Sequence, residues 1–216
     1  MFTLDRRSAI FRAEFKAPLF QAFNQAWQLQ ESLFQVLSTH RIRASDVRLE
    51  RRDGEASCTA NVISLGAVVN VRLTHIEVFF MSLEDTDPVR LQMLASLVEC
   101  LRGFASGYRL FSLAYDHHGA LDGGASASAF IGRYVQPPSS EALGAHCGSS
   151  AVFYYGPGGS RAATSVHLEA SSIVQGGLFV KTNCVWNAEE AALDEVMRDA
   201  AAAARDSLAM LGLSGA

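Results

Sequence analysis

Residues 46–81 read DVRLERRDGEASCTANVISLGAVVNVRLTHIEVFFM, and the class of the fold follows from them. Over Asp46–Arg52, Val47 and Leu49 point one way while Arg48, Glu50 and Arg52 point the other, the alternation of a half-buried strand. Asp53-Gly54 is a tight-hairpin signal, because both central positions of such a turn need positive φ. A second strand is predicted over Ser57–Ile63, then Leu65-Gly66, then a long strand-like segment to Met81. In that segment Val69, Val71 and Leu73 fall on odd positions and Ile76, Val78 and Phe80 on even ones. A bulge or short turn near His75 accounts for the change of phase. Strands joined this closely pair antiparallel.

Outward from this block, residues 2–15 alternate loosely and read as a strand. Pro18 sits where a helix begins, and Leu19, Phe20, Phe23, Ala26, Trp27, Leu33, Phe34 and Leu37 recur at helical spacing, which predicts one long helix ending near His40. Asp87-Pro88 caps a second helix, with its apolar stripe from Leu91 to Phe104. The order then begins again: a strand over Arg109–Tyr115, a Gly/Ser/Ala stretch from Asp122 to Ala129, a short helix near Phe130–Tyr134, a break at Pro137-Pro138, strands over Ala151–Tyr155, Ala163–Ala170 and Leu178–Trp186, and a last helix to about Leu211. Asn187 and Glu190 have the spacing of a capping box before that helix. The reading is therefore an α+β fold with a largely antiparallel sheet and long helices packed on one face, a single compact domain over 1–216. Within it, β-α-β-β-β-α runs twice, over 1–106 and 107–216.

Composition narrows the function classes. The apolar share is 49% against 19% charged, which supplies a core and excludes a disordered chain. Net charge is −4, against a protein that coats nucleic acid or an anionic membrane with its whole surface. The charge is uneven: residues 1–52 hold nine basic and five acidic residues (+4), the remainder nine basic and 17 acidic (−8). Cys58, Cys100, Cys147 and Cys184 are widely spaced with no C-x-x-C, as expected of reduced thiols rather than a disulfide framework or zinc site. No basic-then-apolar leader and no membrane-length apolar run is seen, so a soluble, cytoplasmic protein is expected.

Several short signals bear on chemistry. Asp116-His117-His118, just after an apolar strand, resembles the motif of the DHH phosphoesterases, in which a strand delivers an Asp and two His to a two-metal site. The resemblance covers these few residues only. That family also needs acidic ligands at the ends of earlier parallel strands and a Gly-rich motif followed by His. Here the preceding region reads as antiparallel hairpins, and Gly123-Gly124 is not followed by His. The glycine-rich link holding Gly123, Gly124 and Ser126 leads into a helix, where backbone amides hold anions, but it lacks the phosphate-loop spacings and reads as a connection. His146-Cys147 are sequence neighbours, which seldom gives a Cys a usable imidazole face. Arg41, Arg43, Arg48, Arg51 and Arg52 form a basic cluster diluted by Glu50, Asp53 and Glu55 and lacking stacking aromatics, so nucleic-acid binding is disfavoured. Glu84, Asp85 and Asp87 precede a helix start, where the dipole accounts for them. His40, His75 and His167 read as structural.

No polar set converges in sequence, and no cofactor or metal is expected. The functional expectation is a non-enzymatic protein-interaction or assembly module of a cytoplasmic complex. Its partner is another protein or a second copy, met through Phe20, Phe23, Trp27 and Phe34. The alternative is a small-molecule-binding protein or metal-dependent hydrolase using Asp116, His117 and His118.

Overall fold

In a computed structural model, residues 2–52, 55–82, 87–135 and 149–213 are described. The Asp53-Gly54 turn, Glu84 and Asp85, Pro137-Pro138, and His146-Cys147 lie outside them.

The strands, in chain order, are β1 (Phe2–Phe15), β2 (Val47–Arg52), β3 (Glu55–Val62), β4 (Ala67–Arg72), β5 (His75–Phe80), β6 (Tyr108–Leu121), β7 (Ala151–Tyr155), β8 (Ala163–Ala170) and β9 (Leu178–Asn187). The α-helices are α1 (Phe20–Asn24), α2 (Ala26–Leu37), α3 (Pro88–Arg102), α4 (Ala127–Ile131) and α5 (Leu193–Met210). One open antiparallel sheet takes all nine strands in the order β2-β3-β4-β5-β1-β6-β9-β8-β7. The two 14-residue strands, β1 and β6, pair at its centre.

The phase change read from the sequence is a turn. Arg72 ends β4, His75 begins β5, and Val71 pairs with Ile76 across the hairpin. The predicted single segment to Met81 is thus two strands, and four strands rather than three follow the first helix region. That region also departs from the expected continuous helix. It breaks at Gln25, where φ −108° and ψ 48° leave the helical basin, and it ends in a 3-10 turn over Ser38–His40. Asp87 caps α3 as expected, accepting from Val89 N and Arg90 N, with Pro88 in the first turn. The Asn187–Glu190 pairing closes a turn before α5 rather than capping it; α5 begins at Leu193.

Register explains where the core sits. Residues opposed across an antiparallel ladder share a face, so Val71, Ile76, Ala13, Phe111 and Trp186 form one row, and Val69, Val78, Phe11, Leu113 and Cys184 the next. The buried apolar side chains of the strands lie on this face, Ala114 excepted. They divide into two clusters. The larger joins the β2–β5 half and the β1/β6 centre to residues of α1, α2, α3 and α5, and the smaller joins Phe2, Val166, Leu168, Leu178 and Val180 to Phe130 and Ile131 of α4. A register shift between Leu4 and Arg6 keeps Phe2 and Leu4 on the core face as well as Ala9 and Phe11. Gly119 belongs where a side chain has no room: a Cβ there would lie 2.4 Å from Thr3 O and 2.6 Å from the Phe2 ring.

Candidate functional site

The Asp116-His117-His118 string lies inside β6 rather than beyond its end, because β1 and β9 both continue the ladder past it. Strand alternation then decides its chemistry. His117 points to the core face with Tyr115, while Asp116 and His118 point to the opposite face. The three side chains do not converge on one ion, and no group of three His, Cys, Asp or Glu among the described residues is placed to hold a metal. The geometry that the resembled motif requires is therefore missing.

His117 sits between the two hydrophobic clusters, with Arg7, Tyr115 and Thr182. The Arg7 guanidinium lies 4.7 Å from the centre of the Tyr115 ring, a cation–π contact. Burial and the nearby Arg7 charge push the His117 imidazole down to about 4, so it is neutral at physiological pH. Its Nδ1, the Tyr115 hydroxyl and Thr182 Oγ1 are buried without hydrogen-bond partners. This is a polar layer through an apolar core.

On the opposite face, Ser8, Asp116, Lys181 and His167 form one row across β1, β6, β9 and β8. Lys181 Nζ stands 3.9 Å from Asp116 Oδ1, within ion-pair range but too far for a hydrogen bond, and that oxygen has no hydrogen-bond partner. Burial raises the Asp116 carboxyl above its ordinary range, against the pull of Lys181, His118 and His167. His118 Nδ1 meets Ser171 Oγ at 2.9 Å, and its ring stacks on Phe179 with centroids 4.6 Å apart. Beside this row is a groove of about 410 Å³ floored by Ile10 and Ala114 and bordered by Arg12, Glu77, Lys181 and Asn183. Arg12 is already paired with Glu14 at 3.1 Å, and Glu14 with Arg109. These ion pairs and the Arg109 hydrogen bond hold the Glu14 carboxyl below its ordinary range.

The glycine-rich link forms a 3-10 turn over Asp122–Gly124, with Gly123 at φ 73°, and Ser126 Oγ accepts from Ala129 N at the start of α4. Ser126 is thus a cap. The expected helical interface divides: Phe20 and Trp27 are 61% and 64% exposed, but Phe23 is buried in the core and Phe34 packs against it. Phe23 and Phe34 thus serve the core, with the chain leaving the helical basin between them at Gln25. Arg41, Arg43, Arg48 and Arg51 are exposed, and Arg41 takes the left-handed conformation at φ 60°. Arg48 Nε reaches Ser45 O.

The position of β7 in the sheet adds a surface feature that its residues alone do not mark. β7 is an edge strand whose AVFYY sequence carries no charge, and Tyr154 is 81% exposed. Beside it a groove of about 650 Å³ is lined by Tyr154, Tyr155, Pro157, Arg161, Asp206 and Met210. Tyr155 Oη donates to Met210 Sδ at 3.1 Å, which ties the strand end to α5. Arg161 is held by Asp199 at 3.2 Å, and Trp186 Nε1 donates to the same carboxylate oxygen. The opposite edge, β2, reads VRLERR and is guarded by charge. The signal was legible as a run of apolar and aromatic residues without a gatekeeper, but only the sheet order shows that it is an edge. Compared with known proteins, the chain matches no family model, and no curated protein is significantly similar to it.

Proposed function

We propose that this protein is a non-enzymatic interaction module of a cytoplasmic assembly, and that it works by adding an extended strand of a partner to the free edge of β7. The observation that carries this reading is the contrast between the two edges: one is charged along its length, and the other is uncharged, aromatic and flanked by a groove. Main-chain pairing with β7 supplies affinity, and the groove beside Tyr155 and Met210 accepts an apolar side chain of the added strand.

The same reading takes the helices as gathered on the core face and the chain as a doubled unit. Two things support it: burial is one-sided across the sheet, and the strand orders β3-β4-β5-β1 and β7-β8-β9-β6 match with β2 as an addition. Among the described residues, the second unit has no counterpart of β2, and β7 stands at the end of the sheet.

The test is affinity capture by the wild-type chain and by Tyr154→Lys, with a partner identified by mass spectrometry. A partner that the variant retains at least about tenfold less well supports edge docking. A partner held equally by both sinks it. The small-molecule alternative rests on Asp116 and the groove floored by Ala114. Metal titration and hydrolase assays of wild type and Asp116→Ala discriminate it, because metal binding or hydrolysis lost in the variant would favour an enzyme.

A further inference from the structure

We infer that the occupant of the β7 edge is a second copy of this chain, paired antiparallel about a twofold axis so that two nine-stranded sheets become one continuous sheet. The inference rests on the edge-docking reading and names its partner.

Charge carries the argument. In an isologous contact the same patch serves on both copies, residue i against j and j against i, so a patch with charges of one sign meets like charge. The β7 sequence carries none, and two antiparallel copies bring no like charges together. Full overlap of two five-residue strands puts Phe153 on the axis and sets Val152 of one copy opposite Tyr154 of the other. Both side chains lie on the face away from the core and are exposed in the isolated chain. A β-branched residue facing an aromatic is a favourable cross-strand pair. The same operation at β2 would set a strand carrying Arg48, Glu50 and Arg51 against its own copy. Only one end of the sheet is therefore fit for self-pairing, and a twofold contact there closes at two copies instead of growing into a filament.

The experiment is light scattering after size-exclusion of the full chain over a concentration series, with circular dichroism and melting as the check on folding. The expected wild-type result at high concentration is a mass twice the 23.3 kDa of one chain. Tyr154→Lys and, independently, Val152→Lys retain the spectrum and, in dilute solution where both are monomeric, the melting temperature, but weaken association at least about tenfold. A wild type that stays monomeric throughout, or a dimer that neither variant alters, overturns the inference. The two levels of the reading separate cleanly: a monomeric wild type whose captured partner is lost in Tyr154→Lys removes only the second copy, whereas a dimer and a captured partner both indifferent to the edge variants remove edge docking itself.

Discussion

At the residue scale, His117 makes stability depend on pH in a definite direction. The folded chain keeps its imidazole neutral down to about pH 4, whereas the unfolded side chain takes a proton below about 6.5. The unfolded state therefore binds more protons between those values. The contribution is complete above pH 6.5 and is lost as pH falls towards 4. Between pH 7 and 4.5, urea unfolding of wild type should lose about 2 kcal/mol more than that of His117→Asn. Equal losses would contradict the buried neutral imidazole. Glu14, held below its ordinary range, adds loss in the same direction, and Asp116, raised, opposes it. Gly119 gives a second residue-scale prediction. Its Cβ position collides with backbone and with the Phe2 ring, so Gly119→Ala should cost about 2 kcal/mol or more by thermal unfolding. The Asp116-His117-His118 string is legible in the sequence, but its alternation is not, because the apolar run ends at Tyr115. Only pairing with β1 and β9 carries β6 to Leu121.

At the element scale, the caps and hairpins were the most legible features because their causes are local. Asp87 and Pro88 fix the start of α3 within a few residues, and the odd-to-even phase change fixes the turn before His75. Asp87→Ala removes two backbone acceptor contacts and the 2.6 Å pairing with Arg90, and should lower stability by about 1 kcal/mol in denaturant titration. The break at Gln25 was not legible, since the apolar spacing runs across it without a proline or glycine. Strand β7 shows the other limit. Its residues name a strand, but a strand is an edge only by its place in the sheet order, which no local pattern contains. Tyr154 projects to solvent, so Tyr154→Lys should change unfolding free energy by less than about 0.5 kcal/mol while abolishing pairing at the edge. A large loss of stability would mean that the side chain serves the fold instead.

At the scale of the whole molecule, the order β2-β3-β4-β5-β1-β6-β9-β8-β7 places the two longest strands together in the middle and sets the charged β2 and the uncharged β7 at the ends. The charge asymmetry seen along the sequence thereby becomes an asymmetry between edges. One end is defended and one is not, and the account of function stands on that difference. It is tested most directly by amide hydrogen exchange of residues 151–155 in dilute and concentrated protein. Protection of β7 that rises with concentration and vanishes in Tyr154→Lys, while β2 exchanges unchanged, is the result expected. β7 amides whose exchange does not change with concentration, in wild type and variant alike, would contradict it.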